Sequence, residues 1–382
     1  MRFPNLPLSI YLAILLLLLF AGAKTTGKGK FFDNFLDLDI TKCLQGFAAV
    51  AIMLHHLTQK VTQYGQYDKG AIGIMNDCGV LLTGLFFFFS GYGLYISFSA
   101  KEDYLKGFIR KRLPVVLIPF YSTNTIFVLI SLLLGYEMTV GEFFLYISGL
   151  VLLNSQMWYI VEIVVLYLAF FIIFKTIKKQ NAAFAAMAVF ILILTTISLL
   201  LGHDYKYACG GAWFKGEWWY NSTWLFFVGM LIARYRTTVI AFARKYYAVL
   251  LPLGILLFAA MHHATLYMLR NVGYWKEYEG YPGYKEKFLT CLVQTHTAII
   301  FVLVLLLLTM KLQFNNRILK FLGKIAIELY LIHNIFILYL IDEIKNDFLL
   351  YLCVYTGGII LATGIHFMDQ WLIKKICKKQ GV

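Results

Sequence analysis

One helix-forming stretch of the sequence carries a histidine that could act as a base. The residues between Gln45 and His55 are apolar, and polar side chains stand at both ends of the run. At about 100° per residue, Gln45 and His56 lie three helical turns apart on one face, with Lys42 on the same side, while His55 points elsewhere. An imidazole can accept a proton at neutral pH, so His56 is a candidate general base; a packing role for the ring is the alternative.

Further polar side chains interrupt two other apolar segments. Glu162 lies one turn after Trp158, and a carboxylate inside a membrane needs a partner such as histidine or arginine. Glu162 is therefore a second candidate for catalysis, with Trp158 beside it. Tyr330 and His333 share a helix face at i and i+3, where they could line the path of a second substrate.

A basic cluster offers a place for phosphate groups. Arg110, Lys111 and Arg112 follow one another just before a long apolar run. Guanidinium groups bind phosphate oxygens in pairs, so Arg110 and Arg112 are candidates for holding a phosphorylated donor. The alternative is that these residues only keep the segment on the cytoplasmic side of a membrane.

The elements that must position these residues are membrane helices. The chain has 382 residues, of which 60% are hydrophobic and only 14% are charged, whereas about a quarter are charged in soluble proteins. Many apolar runs approach or exceed the roughly 18 residues that a spanning helix needs. The sequence predicts an all-α fold, a polytopic transmembrane bundle with about 10 or 11 spanning helices in a lipid bilayer. Residues 141–153 are apolar but short, and predict a re-entrant or interfacial helix.

The net charge of +14 indicates how the chain is oriented in the membrane, and nucleic acid is not expected as a partner. Most Lys and Arg residues fall in alternate connections between the apolar runs, as the positive-inside rule requires. This alternation predicts six cytoplasmic segments, at residues 24–42, 101–112, 175–179, 234–245, 311–324 and 374–379. With an uncleaved first helix, the amino terminus lies outside and the carboxyl terminus inside.

The predicted organisation is one main bundle with additions at both ends. Residues 1–38 form an extra N-terminal transmembrane helix and a cytoplasmic linker, residues 39–373 the main bundle, and residues 374–382 a basic cytoplasmic tail. The six cysteines show no Cys-x-x-Cys spacing and no ligand cluster, so no metal is expected. Three cysteines near the outer face could supply one disulfide, but free thiols are favoured; these are Cys78, Cys209 and Cys291.

Several motifs resemble those of the acyltransferase family 3 membrane proteins, in the family's order. Residues 44–56 resemble the first core helix, in which a basic residue precedes a histidine with ten residues between them. Similar segments follow at Phe86 to Tyr92, Phe108 to Pro114, Trp158-Tyr159, Phe227 to Met230 and Glu328 to His333. The resemblance covers residues 39–334. The family's basic residue aligns with Gln45, which carries no charge, and Lys42 could replace it.

The resemblance implies transfer of an acyl group from a cytoplasmic donor to a hydroxyl on an extracytoplasmic glycan or lipid-linked sugar. The donor would be acetyl-CoA or another acyl-CoA, bound as a co-substrate by a protein of the plasma membrane. His56 would deprotonate the acceptor or carry the acyl group briefly. The residues implied to contact the donor are Lys42, Gln45, Arg110, Arg112, Trp158, Tyr330 and His333. Ser90 could suggest a nucleophile, but the Ser90-Gly91 pair is better interpreted as allowing close helix approach.

Two other kinds of membrane protein share many of these features. A transporter or flippase for a polysaccharide intermediate or a small solute also combines many helices with a polar interior. A sensor that binds a ligand without chemistry is the third interpretation. Inverted repeats would favour a transporter, and the sequence shows none.

Overall fold

The computed structural model of the chain describes residues 6–201, 221–273 and 283–379. Almost all regular structure in this part is helical, so the predicted all-α fold is confirmed. The α-helices are α1 Leu6–Phe20, α2 Leu38–Val61, α3 Gly79–Ala100, α4 Phe108–Leu133, α5 Val140–Ser148, α6 Trp158–Thr176, α7 Gln180–Leu200, α8 Trp224–Arg234, α9 Arg236–Lys245, α10 Tyr247–Tyr267, α11 Tyr284–Thr309, α12 Arg317–Lys324, α13 Ala326–Leu340 and α14 Asp347–Lys379. Two short 3-10 helices, Gly70–Asp77 and Ser155–Met157, a π-helix, Met268–Val272, and two-residue strands β1 Lys24–Thr25 and β2 Leu312–Gln313 complete the list.

The helices that could cross a membrane agree with the predicted polytopic bundle. Within the described ranges, eight helices are long and apolar enough to span, and the number rises to ten if two broken helix pairs each count as one span. One such pair is α8 with α9, which bend by 86° around Tyr235. The fifteen residues of α1 extend only about 22 Å, less than a bilayer core of about 30 Å.

The described residues fall into two compact units. The first contains residues 6–102, 191–201, 221–273 and 283–324, and the second contains residues 103–190 and 325–379. The first unit is therefore assembled from segments that are far apart in the sequence. The predicted division at residues 38 and 373 stays a prediction.

Glycines bring helices of the first unit into close contact. A Cβ atom at Gly91 of α3 would collide with the backbone of Phe226, and one at Gly229 of α8 would collide with the backbone of Phe88. Each helix thus places a glycine against the main chain of the other, which is how small residues drive membrane helices together. The interpretation of the Ser90-Gly91 pair as a close-approach site is confirmed at Gly91.

Three of the segments predicted to be cytoplasmic meet at one end of the first unit. Strand β1 pairs antiparallel with β2, with Lys24 opposite Gln313. The Arg244 guanidinium forms an ion pair with Asp33, and the Lys320 amine lies 2.6 Å from the Asp39 carboxylate. Segments 24–42, 234–245 and 311–324 therefore lie on the same side, as the charge alternation requires. Which side faces the cytoplasm stays a prediction.

The second unit contains α4, α5, α6, α13 and α14. Residues 141–153 do not cross a membrane, since α5 is only nine residues long and none of its residues is buried. Thr139 and Glu142 form a capping box at its start, and the backbone amide and hydroxyl of Thr139 lower the pKa of the Glu142 carboxyl. The Asn124 side chain on α4 donates to the carbonyl of Tyr146 and ties α5 down. The segment is thus a short helix, as predicted, and its re-entrant or interfacial position stays a prediction.

The glycine contact between α3 and α8 makes a prediction about stability. We expect Gly91→Ala to destabilise the protein by about 1 to 3 kcal/mol, because the methyl group would push against the backbone of α8. The apparent melting temperature of the purified protein in detergent measures this effect.

Gly93 on the same helix supplies the matched control. A Cβ at Gly93 meets nothing within 4 Å. Gly93→Ala should leave the melting temperature unchanged or raise it, because alanine favours a helix over glycine by about 1 kcal/mol. Equal effects of the two substitutions would contradict the proposed packing role of Gly91.

Candidate functional site

The predicted face of α2 carries its three polar residues in the first unit. Lys42, Gln45 and His56 are each half-buried, whereas their apolar neighbours are almost all buried. Lys42 and His56 are fourteen residues apart, which corresponds to about 21 Å along the helix. The His56 ring is thus neither sealed in the core nor fully exposed. Its centre lies 5.0 Å from that of the adjacent His55 ring.

His55 has a packing role. Its ring is buried, and Nδ1 lies 2.6 Å from the backbone carbonyl oxygen of Met75. The ring also lies against Gly79, where a Cβ atom would collide with it. Of the two adjacent histidines, His55 is therefore fixed by the 3-10 helix Gly70–Asp77. This agrees with the expectation that His55 points away from the candidate face.

The same 3-10 helix is fastened beside the end of α2. The Gln59 amide donates to the carbonyl of Asn76 at 3.1 Å, and the Thr62 hydroxyl lies 3.0 Å from the Asn76 side-chain oxygen. Arg270, just beyond α10, forms an ion pair of 3.3 Å with Asp77. These contacts hold the chain around His56 in place. Sequence reasoning missed these contacts because Asn76, Asp77 and Arg270 lie in connections between the apolar runs, where no periodic pattern indicates a partner.

Lys42 is held at the other end of this face. Its amine donates to the carbonyl of Gly323 at 3.2 Å, at the end of α12. A cation beside the last carbonyls of a helix is favourable, because those groups lack partners within the helix. Lys42 therefore has a structural contact that sequence reasoning missed. Its assignment to donor binding stays a prediction, as does that of Gln45.

In the second unit, the structure brings together four predicted site residues. The rings of Tyr159 and Tyr330 meet edge to face at 5.8 Å, and the centres of the Tyr330 and His333 rings are 6.3 Å apart. Glu162 is completely buried and acts electrostatically on both tyrosines. Trp158 packs edge to face on Tyr159. Glu162, Trp158, Tyr330 and His333 therefore form one buried aromatic and acidic cluster.

An asparagine pair supports this cluster. The buried Asn154 side chain donates to the carbonyl of Leu331 at 3.1 Å and accepts a hydrogen bond from Asn334 at 2.9 Å. It also accepts from the backbone amide of Gln156, at the turn that leads into α6. Asn154 thereby fixes the start of α6 against α13. Sequence reasoning missed it, although an asparagine bordering an apolar run was a usable signal.

The basic residues stand at the start of α4. Gly107 adopts a left-handed conformation with φ 78° and starts the helix. Arg112 is half-buried and donates from Nε to the Tyr104 hydroxyl at 2.8 Å, while Arg110 and Lys111 are exposed. Arg112 is thus held in one orientation by Tyr104. The exposed guanidinium of Arg110 is open to solvent.

The structure describes two of the three cysteines that were predicted to lie near the outer face. Cys78 and Cys291 are in the thiol form, and burial raises the pKa of Cys78 to about 12. Cys209 lies outside the described residues.

The asparagine pair leads to a prediction about coupling. Asn154→Ala should cost about 1 to 3 kcal/mol of stability, because it leaves the buried Asn334 amide without its acceptor. Together with Asn334→Ala and the double variant it completes a double-mutant cycle. We expect a coupling energy above about 0.5 kcal/mol from melting in detergent. Additive effects would contradict the direct hydrogen bond.

Comparisons with known proteins identify the family. A model of acyltransferase family 3, described as an acyltransferase domain, matches residues 34–367. No curated protein and no solved structure shows a significant match. The family match includes all nine predicted site residues and confirms the resemblance carried by the motifs, which favours an enzyme over a transporter or a sensor. The chain therefore belongs to acyltransferase family 3, and its long apolar helices make it a multi-pass membrane acyltransferase.

Proposed function

We propose that this acyltransferase moves an acyl group, in the first instance acetyl, from cytoplasmic acyl-CoA to a hydroxyl of an extracytoplasmic glycan or lipid-linked sugar. The protein would reside in the plasma membrane, with its amino terminus outside and its carboxyl terminus in the cytoplasm. Positive segments that meet at one end of the first unit support this orientation. The glycan acceptor follows from the family resemblance.

The position of His56 carries the proposal. Its half-buried imidazole stands at one end of α2, in the helix that resembles the family's first core helix. His55 is fixed by Met75, so only His56 has an orientation that a substrate could reach. A base must come within hydrogen-bond distance of the proton that it removes, and a partly open ring satisfies this requirement where a sealed one would not.

The proposed reaction is a direct acyl transfer. His56 accepts the proton of the acceptor hydroxyl while the oxygen attacks the thioester carbonyl carbon. The carbon–sulfur bond then breaks, and the coenzyme A thiolate leaves and takes up the proton from the imidazolium. A transient acyl group on His56, formed by attack of the imidazole on the thioester and passed on to the alcohol, is the two-step alternative.

The remaining predicted residues receive supporting roles in this proposal. Arg110 and Arg112 bind phosphates of coenzyme A, with Tyr104 orienting Arg112. In the second unit, Trp158, Tyr330 and His333 contact the donor. The buried Glu162 carboxyl places an acidic group beside these side chains. The Tyr330 hydroxyl is buried and has no hydrogen-bond partner among the described residues. That hydroxyl can donate to the thioester carbonyl as negative charge develops on its oxygen. Lys42 and Gln45 contact the donor along α2.

The role of His56 can be tested by substitution. We expect His56→Ala to lower acyl transfer by at least about 100-fold, because general base catalysis contributes that much or more. The measurement is transfer of labelled acetyl groups from acetyl-CoA into membranes, together with mass spectrometry of surface glycans from cells with and without the protein.

The matched control is His263→Ala, which removes an exposed histidine from α10 in the same unit. This variant should keep wild-type activity at an equal amount of protein in the membrane. Retained activity of His56→Ala at wild-type abundance would refute the base assignment. Surface glycans that do not change when the protein is deleted would refute the proposed acceptor.

The basic residues at the start of α4 allow a second test. Substituting both Arg110 and Arg112 by alanine should raise KM for acetyl-CoA at least about tenfold, because charge-assisted hydrogen bonds to phosphate are lost. We expect kcat to stay within a few-fold, since these contacts bind ground and transition states alike.

Lys106→Ala is the control for the second test, because it removes an exposed positive charge from the same segment. A comparison of acetyl-CoA with its analogue lacking the 3′-phosphate makes the test specific. The double variant should discriminate less between the two donors than the wild type does. An equal rise of KM in Lys106→Ala would indicate a general effect of positive charge and contradict specific phosphate binding.

A further inference from the structure

Three helices of the second unit bring four polar side chains into one cluster, in which two carboxyl groups are buried and the other two side chains are half-buried. His366 and Asp369 lie on one face of α14 at i and i+3, and the Nδ1 atom of His366 lies 2.8 Å from a Glu328 carboxylate oxygen on α13. The Ser122 hydroxyl on α4 lies 2.6 Å from Oδ1 of Asp369. The cluster thus joins α14 to both of the helices that pack against it.

The cluster contains more acidic groups than basic ones. It contains two carboxyl groups and one imidazole, so fully ionised carboxylates would leave a net negative charge even with His366 protonated. Glu328 and Asp369 are 2% and 0% exposed. The second oxygens of both groups, Oε2 and Oδ2, have no hydrogen-bond partner among the described residues. An uncompensated charge in such surroundings is costly, so the geometry favours one more positive charge in the cluster.

Among the described residues of these helices, no Lys or Arg forms an ion pair with Asp369. Lys374 and Lys375 follow on α14 itself, but both are exposed, and the Lys375 amine lies over the Trp371 ring. The charged groups that act on Asp369 are Glu328 from α13 and His366 from α14 itself, and α4 contributes the neutral Ser122. The basic residues of α4 end at Arg112, ten residues and about 15 Å before Ser122. Among the described residues, no group of three or more His, Cys, Asp or Glu side chains could hold a metal ion. A proton is therefore the cation that fits.

The hydrogen bonds indicate where that proton resides. Glu328 has an imidazole as its partner and can form an ion pair with it. Asp369 has only a hydroxyl, and an ionised carboxylate would leave charge on Oδ2. The Ser122 hydroxyl donates to Oδ1, so in the neutral form the acid proton resides on Oδ2 and removes the charge from that oxygen. The neutral form leaves less buried charge without compensation.

We propose that Glu328, His366, Asp369 and Ser122 form a proton-binding site in which Asp369 is a neutral carboxylic acid beside the Glu328–His366 hydrogen bond. Loss of the proton as the pH rises places a second negative charge between the helices. The packing of α14 against α4 and α13 is then weakened, so proton occupancy controls this part of the second unit. The inference does not depend on acyl transfer, and its tests have readouts other than activity.

The first test is the pH dependence of stability. The folded protein holds a proton that an exposed aspartate in the unfolded chain has lost above about pH 5, so the folded state binds more protons and stability falls as pH rises. For the purified full-length protein, the apparent melting temperature should fall by about 3 °C per pH unit while the site titrates. Asp369→Asn mimics the neutral acid. It should match the wild type at pH 6, be more stable at pH 9 and show a smaller slope.

Asp342→Asn is the matched control, since it makes the same change at an exposed position of the second unit. Its slope should equal that of the wild type. Equal slopes in wild type and Asp369→Asn would overturn the proposal. A loss of stability at every pH in Asp369→Asn would also overturn it, because it would indicate that the ionised form is the folded one. Stabilisation by Na⁺ at pH 9 that choline does not reproduce, and that Asp369→Asn abolishes, would assign the site to a metal cation instead.

A second measurement uses the wild-type protein alone and covers the case in which the variant fails to fold. Dicyclohexylcarbodiimide adds to protonated carboxyl groups in apolar surroundings and leaves a stable N-acylurea. Mass spectrometry should find this adduct on Asp369 at pH 6.5 and much less of it at pH 9. Labelling of Glu328 in place of Asp369, or none at Asp369, would refute the location of the proton.

Discussion

Hydrocarbon offers no hydrogen bonds, so every polar side chain on a membrane helix must be matched by another group of the protein. This constraint explains the contacts in both units. The Lys42 amine donates a hydrogen bond to the carbonyl of Gly323, and the His55 ring is hydrogen-bonded to the carbonyl of Met75. The Asn334 side chain on α13 donates a hydrogen bond to the Asn154 side chain, which lies just before α6. Against this background, the side chains whose polar atoms are not all matched become candidates for chemistry.

Close helix approach is the second condition for these matches. Lys42 reaches α12 because Gly46 and Gly323 let the two backbones come together, each at a point where a Cβ atom would collide with the other helix. Glycine in a helix costs about 1 kcal/mol relative to alanine. The close packing that it permits offsets this cost and holds the polar groups of α2 at a fixed position.

The sequence predicted features that depend on local composition, and it missed features that depend on packing between distant segments. Hydrophobic runs sufficed for the all-α membrane bundle, and helical periodicity placed Lys42, Gln45 and His56 on one half-buried face. The apolar run was predicted to end before Arg234, but the basic segment that follows was not predicted to be a helix, nor to bend by 86° from α8, because charge alone does not set the direction of the chain. The partners of Asn154 and of Lys42 were missed too, because they lie 180 and 281 residues away. Nothing in either local sequence indicates which helix will pack alongside.

The ladder between β1 and β2 constrains how the first unit is made. Lys24 emerges early in synthesis, but its partner Gln313 follows most of the chain, including residues 103–190 of the second unit. The closure entropy of so long a loop grows only slowly with length, so the ladder is tolerable at equilibrium. During translation, however, β1 has no pairing strand until the ribosome has passed residue 313. Truncation before that residue therefore removes the ladder, although α1 and α2 can already pack together.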